Sequence, residues 1–487
     1  MEYCDYSLVK NGTVFKENIK KDGTRAFFRQ LLISSTVWSV YFCMGLCIGA
    51  PTVFIPQLGK EANSTDAVTS EMASWLSSVF GYSALPWVLI LCWLLNAIGR
   101  KRTSIIMSLS TVAMFVVFYF SKTANDLLIT EILTGLTHAS TMTVTVVAIG
   151  EYSSPKFRGI FLTLKSASLL WGIWTSNAIG TFFHWRYIPL MGILCSLHTL
   201  TVFYWCESPY WLACKGRFDE CRKTHRWLKG NGRASERELK KLIDSLKRTQ
   251  SKEIELKSLL SKEFYIPLLL SILVVTQYHF SGKLVCSIYV IEILKRITND
   301  EATAYYGMLI LDGVTVISTY IGCILCRILK RRTLLLTSST IGITFLYILA
   351  LYLWLIRIEV VTEIKMASVL FLAAFSTSIS CGPMIMATSL YGELIPLRFK
   401  SVSIILIAFT FFGFHSTLLK LAPAIFANFG LDGMFLFYAS TSTLIAILIY
   451  KYLPETKDKT LQEIEDYFKD STNNSDVTNL VRDKIVS

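Results

Sequence analysis

The chain has 487 residues, of which 53% are hydrophobic and only 17% charged. Soluble domains carry about 25% charged residues, so the composition speaks against a water-soluble protein of several domains and for a chain embedded in a bilayer. The formal net charge of +13 does not point to nucleic acid, because the basic residues are spread over many short segments instead of one domain.

In chain order, residues 1–30 are polar and of mixed charge. They lack the short apolar region and small-residue cleavage site of a signal peptide, so an N-terminal tail is expected. About 20 apolar residues cross a bilayer. Twelve such runs follow, at 31–53, 74–97, 103–121, 127–149, 160–183, 187–205, 265–291, 303–326, 333–356, 366–390, 401–425 and 432–453. The segment 206–264 parts six from six. It reads RFDECRKTHRWLKG and then ASERELKKLIDSLKR, with apolar residues at helical spacing among dense charges. Two or three surface helices are expected there, a solvated linker being the alternative. The predicted organisation is a tail 1–30, a six-helix half 31–205, a helical linker 206–264, a second six-helix half 265–453 and a tail 454–487.

With the N terminus placed in the cytoplasm, the loops on that side hold 38 of the 48 Lys and Arg residues, counting Lys451 at the end of span twelve. The opposite loops hold 7, and Lys165, Lys283 and Lys420 lie within spans. This bias puts both termini in the cytoplasm. None of the twelve cysteines falls in a predicted outer loop, so Cys323-x-x-Cys326 is read as packing and not as redox or metal chemistry. Asn63-Ser-Thr, in the first outer loop, is the expected glycosylation acceptor. Asn11-Gly-Thr and Asn473-Asn-Ser match the same pattern on the inner side and are expected to go unused. Gly45-x-x-x-Gly49 matches a helix-dimer motif and is read as internal packing.

The two halves repeat each other. Asn96-Ala-Ile-Gly99-Arg100-Lys101-Arg102 follows span two, and Arg327-Ile-Leu-Lys330-Arg331-Arg332 follows span eight. Glu151 and Arg158 follow span four, and Glu393 and Lys400 follow span ten, each pair seven apart. Glu207-Ser-Pro follows span six and Pro454-Glu455-Thr follows span twelve. Parallel duplication of six spans is the mark of major facilitator transporters. The segments ESPYWL at 207–212 and PETKDKTLQEIE at 454–465, with the Gly-Arg-Lys-Arg turn and the paired Glu/basic turns, resemble the sugar porter family of that superfamily over nearly the whole chain. SEMASWLSS at 70–78 resembles the insect facilitated trehalose transporters.

The resemblance implies twelve helices, all α, and facilitative transport of a sugar, trehalose or a hexose, by alternating access. It implies a cytoplasmic gate of Asn96, Gly99, Arg100, Glu151, Arg158, Glu207, Arg331, Glu393, Lys400 and Glu455, in which pairs between the halves hold the inner side shut. The family has Asp at the position of Asn96, and Arg327 and Lys330 replace its Asp and Gly in the second half. The family's sugar-binding residues fall on Ser166 in span five and on Tyr278, His279, Ser281 and Tyr289 in span seven, with Gln277 beside them. The matching positions of other spans are Leu284, Phe411, and Met386 or Thr388. Only Ser281-Gly282 and Tyr289 match the family pattern at these places.

Ionisable residues within spans are functional candidates in their own right. Lys283 and Asp312 fall at similar depth and are expected to pair, with outward snorkelling of Lys283 as the alternative. Lys165 is expected to snorkel to the inner face. His138 lies in THASTMTVT, where Thr137, Thr141 and Thr145 share a side; a pore-lining strip or helix packing are both open. Glu131 stands where proton symporters of the family have Arg, and span one has no carboxylate, so passive facilitation is expected, with a proton-coupled mechanism through His279, Glu131 and Asp312 as the alternative. No P-loop and no metal-ligand cluster is found. The chain is therefore expected to be a non-enzyme without cofactor or metal, whose partners are a small solute and the lipid of the plasma membrane. The rival expectations are a carrier of a non-sugar solute such as an organic ion, and a transport-dead sensor or scaffold of the same fold.

Overall fold

The structure is a computed structural model and describes residues 6–61, 69–249, 261–362, 364–390, 394–395 and 399–457. Among these residues every regular element is a helix. That is what long apolar runs require, since a bilayer offers backbone groups no water and a helix satisfies them within the segment.

Span one is part of α1 (Tyr6–Glu61), which runs unbroken from the expected tail. Span two is α2 (Ser70–Leu76) and α3 (Val79–Ala97), and span three is α4 (Arg100–Phe120). Span four is α5 (Ala124–Met142) and α6 (Val144–Tyr152); α5 opens on a Thr123/Asp126 capping box. Span five is α7 (Pro155–Phe182) and span six is α8 (Tyr187–Thr199) with a 3-10 turn, Leu200–Tyr204. The linker carries α9 (Pro209–Cys214), α10 (Phe218–Lys229) and α11 (Arg233–Thr249), as its charge pattern predicts. Span seven is α12 (Lys262–Phe280), α13 (Lys283–Ile288) and α14 (Val290–Thr298). Spans eight and nine are α15 (Glu301–Ile328) and α16 (Arg331–Arg357). Span ten is α17 (Lys365–Cys381) and α18 (Pro383–Ser389). Spans eleven and twelve are one element, α19 (Lys400–Tyr452), folded back at Gly430, where φ is 72° and the backbone is not helical.

Ten stretches among the described residues are apolar and long enough to cross a membrane. One of them is the doubled α19, and α7, with 28 residues, is about 42 Å long and reaches across as well.

Each half is knit tightly. Gly45 and Gly172 bring spans one and five into backbone contact, and a Cβ on either would collide with a carbonyl of the other helix. Gly49 faces Ser176 of span five, so the Gly-x-x-x-Gly motif is an internal crossing, as expected. The halves touch most extensively along two helix pairs. Span two meets span eleven, where the Ser416 hydroxyl donates to the Ser78 carbonyl at 2.6 Å and Lys420 donates to Ser74 at 2.8 Å. Span five meets span eight, where Asn177 donates to Asp312 at 2.6 Å and Trp171 to Tyr320 at 3.3 Å.

Candidate functional site

Span seven breaks where polar residues interrupt its apolar run. Gly282 sits at φ +80°, and a Cβ there would lie 2.8 Å from the Tyr438 ring. Only glycine fits both the left-handed backbone and the space. Ser281 lends its hydroxyl to the Tyr278 carbonyl at 2.6 Å and so serves the break itself. Gln277 is buried and donates to Ser442 of span twelve at 2.8 Å. Its NH2 is thus engaged inside the second half, while its Oε1 has no hydrogen-bond partner among the described residues.

Past the break, Lys283 turns into a small pocket lined by Ser287, Leu311, Asp312, Phe375 and Ser376 among others. Its ammonium donates to Thr315 at 2.9 Å and to Ser376 at 2.5 Å. Asp312 shares the pocket but accepts from Asn177 of the other half. The expected pair is thus corrected in form: the two charges face one pocket without a direct ion pair, each held by neutral polar partners. Lys283 does not snorkel, being 6% exposed. Lys165 is likewise buried, its ammonium 4.8 Å from the centre of the Tyr41 ring, against the expectation of snorkelling. A cation resting on an aromatic face is an alternative to reaching water.

His138 is stacked on Phe80 of span two, ring centres 4.3 Å apart, and is buried. His279 is buried against Phe411 of span eleven at 4.6 Å and against His415 at 5.8 Å. Tyr278 is half-buried with its ring 5.1 Å from His279. Tyr289 bridges the halves: its hydroxyl lies 2.8 Å from that of Ser77 and donates to the Leu419 carbonyl at 3.1 Å. Ser166 is half-buried on span five, its hydroxyl 3.4 Å from the Leu162 carbonyl. Met386 is buried with Leu334, Leu335 and Leu390 in a cluster of the second half.

On the face that carries the linker, the described bonds of the expected gate run within each half. Arg100 grips Glu151 with two nitrogens, at 2.9 and 2.7 Å. Glu207 accepts the Arg100 and Lys101 amides at 2.8 and 3.1 Å, capping the N-terminus of α4. In the second half Glu455 accepts the Arg331 and Arg332 amides at 2.9 and 3.1 Å and caps α16 in the same way. Arg158 donates to the Gly150 carbonyl at 2.8 Å. Gly99, at φ +97°, lies against the Glu207 carboxylate, and Asn96 presents only its carbonyl, to Trp211 at 3.1 Å. The expected clasp between halves is corrected for these residues, since each acidic group is consumed by a helix N-terminus or an arginine of its own half. Asn63 and Glu393 lie outside the described residues, and so does the Lys400 side chain.

Bonds between the halves gather on the opposite, far face. Lys60 of span one reaches Glu301 of span eight at 2.7 Å, and Lys295 meets the same carboxylate at 2.9 Å. Beneath them a cavity of about 480 Å³ is lined by both halves, with Pro51, Thr52, Lys60, Tyr289, Lys295 and Phe426 in its wall. That volume falls in the range of small-molecule sites, about 300–1,000 Å³.

Sequence reasoning missed Asn177, His415, Thr315 and Ser376. The signal for Asn177 was present in WTSNAIG, an amide within an apolar span, and for His415 in FGFHSTLLK. Thr315 and Ser376 carried no signal, since a hydroxyl in a span usually bonds its own helix.

The sequence profile of the family described as "Sugar (and other) transporter" matches residues 23–468. Similar curated proteins include Sugar transporter ERD6-like 6 of Arabidopsis thaliana, 26% identical over 90% of this chain and 92% of that protein. Facilitated trehalose transporter Tret1 of Apis mellifera ligustica is 23% identical over 94% and 91%. The proton:xylose symporter XylE bound to 6-bromo-6-deoxy-D-glucose superposes with a TM-score of 0.72 at 15% identity, covering 92% of this chain and 100% of that one. The inward open conformation of XylE from E. coli gives 0.70 at 15% identity, covering 91% and 99%. The fold is that of the major facilitator superfamily, and with a match across nearly all of its length the chain belongs to the sugar transporter family.

Proposed function

We propose that this protein carries a neutral sugar down its gradient by alternating access, with trehalose or a hexose as cargo. The observation that carries the reading is the far-face cavity, walled by both halves, with Lys60 of the Lys60–Glu301 pair in its wall. A solute held there contacts both rigid bodies, and rocking them apart releases it to one side or the other. Relatives named as trehalose transporters favour a disaccharide. Tyr289, in the wall of that cavity, is proposed to face the sugar there, Ser166 and Tyr278 to meet it further along its path as the halves rock, and the linker-face residues Arg100, Glu151, Arg158, Glu207, Arg331 and Glu455 to stiffen each half during rocking. The linker face is taken as cytoplasmic on its excess of Lys and Arg, with both termini there and the plasma membrane as the site. A peptide N-glycosidase shift that disappears in Asn63→Gln supports this orientation; a shift that persists in that variant speaks against it.

Counterflow of labelled trehalose and glucose in proteoliposomes tests the cargo. Saturable exchange of either sugar, with no uphill accumulation driven by a proton gradient, is expected. Absence of exchange for both, with correctly inserted protein, removes the sugar reading. The two charges facing one pocket at Lys283 and Asp312 favour a second reading, an ionic solute, and exchange of an organic ion that Asp312→Asn abolishes selects it.

A further inference from the structure

Three imidazoles meet where the halves touch, and nothing in the bonds of the sugar path uses them. His138 comes from span four, His279 from span seven and His415 from span eleven, with exposures of 1, 0 and 5%. Five of their six ring nitrogens have no hydrogen-bond partner: both of His138, both of His415, and Nε2 of His279. The sixth, Nδ1 of His279, lies 2.9 Å from the Val275 carbonyl. Buried polar nitrogens are ordinarily paired, so five orphans in one place mark a site whose polar partner arrives in another state. No group of three metal-ligating side chains among the described residues is close enough to hold a metal ion.

The walls are aromatic. Phe80 covers His138 and lies 5.1 Å from His415, while Phe411 and Phe412 close the other side. Of the titratable groups on the packed elements, Tyr41, Tyr82, Lys283 and Lys420 are bonded elsewhere, whereas the Glu131 Oε2 and the Tyr438 hydroxyl have no hydrogen-bond partner among the described residues. Tyr41 of span one donates to the Thr141 carbonyl, and Tyr82 of span two lies against Thr417. Lys283 bonds Thr315 and Ser376, and Lys420 bonds Ser74 over the Trp75 ring. Glu131 is two turns from His138 and is buried near Cys47. Tyr438 lies against Gly282. Of the titratable side chains outside the cluster, the Tyr278 phenol is the one whose ring touches it. A neutral imidazole tolerates such a cage, whereas a protonated one would be a desolvated cation without an anion.

We propose that His138, His279 and His415 form a proton-binding site of the carrier. Closing the halves over the rings expels protons, and parting the halves admits water and lets them load. The proposal rests on the alternating-access part of the reading above, though not on the cargo. Hydrated histidine titrates near pH 6.5, so acidification from pH 8 to 5.5 drives the carrier toward the parted state.

The test measures distance, not flux. Ketone-bearing residues at Arg102 and Lys330 on the linker face, and in a second sample at Lys122 and Val360 on the far face, are labelled with nitroxides. Double electron–electron resonance is then recorded in lipid nanodiscs. The expected result is a longer-distance population on one face that grows about fivefold or more between pH 8 and 5.5, and no such growth in His138→Phe/His279→Phe/His415→Phe. Should the triple variant fail to insert, His415→Phe alone carries the test, with a diminished response expected. An unchanged wild-type distribution overturns the proposal, as does an undiminished response in the variant. Sugar counterflow on the same preparations keeps the readings apart: a pH response without sugar exchange upholds the proton site and removes the cargo.

Discussion

Asp312 accepts its bond from the opposite half while Lys283 is satisfied inside its own, by Thr315 and Ser376. Each charge is buried, and each lowers the cost of the other across their shared pocket. Removing one partner of a buried charged set typically costs about 3–5 kcal/mol, whereas removing both can be nearly neutral. Lys283→Met and Asp312→Asn are therefore each expected to lower the thermal midpoint in detergent more than the double variant does. The coupling should therefore be at least as large as the smaller single effect, about 3 kcal/mol or more; strictly additive effects would refute it. Asp312→Ala also strands the Asn177 amide, and a hydrogen bond to a charged group is worth about 1.5–3 kcal/mol, so counterflow should fall at least tenfold while surface expression is retained. The sequence betrayed both charges by type and depth. Their partners were illegible, because a serine or threonine that receives a lysine looks the same as one that bonds its own helix.

Breaks within spans were the least visible elements. The apolar run of 265–291 reads as continuous, yet the helix stops at Phe280 and restarts at Lys283. Gly282→Ala adds a left-handed alanine, about 1–2 kcal/mol, and a collision with Tyr438 worth about 1–3 kcal/mol. Its melting temperature should fall sharply, and in a cycle with Tyr438→Ala, itself costly because Tyr438 is fully buried, Gly282→Ala should cost only the strain and not the collision. The linker helices, by contrast, were legible from charge patterning, because apolar residues recur every three or four positions. They also hold a pH-sensitive group outside the membrane. His225 is buried between α10 and α11, and burial, reinforced by Lys229, pushes it down to about 4. Since the unfolded segment binds the proton near pH 6.5 and the packed one does not until about pH 4, packing loses stability as pH falls through that window. The loss is roughly 1 kcal/mol at pH 5.5. Limited proteolysis of the linker should therefore quicken at pH 5.5 relative to pH 7.5, beyond the protease's own pH response, and His225→Phe should flatten the difference.

The duplication of the halves was readable in the order of their boundary motifs, and the structure repeats it at Glu207 and Glu455, each capping the helix that begins at a basic pair, Glu207 through one oxygen and Glu455 through both. What the motifs could not tell was which body each charge serves. A glutamate seven residues from an arginine reads as a gate whether its partner lies across the cleft or beside it, and here the described partners lie beside it. The clasp between halves is on the far face instead, at Lys60, Lys295 and Glu301. Both Lys60 and Glu301 are more than a third exposed, so this clasp is worth at most about 1 kcal/mol, enough to shift the rocking equilibrium about fivefold. Glu301→Gln should thus open the far-face cavity: an impermeant maleimide should modify Ala73→Cys in its wall up to about five times faster. Adding Lys60→Met should bring little more, and high salt should bring the unmodified clasp toward the same rate. A carboxylate of ordinary value near 4.3 is already ionised above pH 5.5, so this clasp does not respond between pH 5.5 and 8. The same maleimide assay run across that range in the Glu301→Gln background, with each rate divided by that of the same cysteine in denatured protein to remove the thiol's own titration, isolates any contribution of the histidine cluster, and a pH response that vanished with Glu301 would assign it to the clasp.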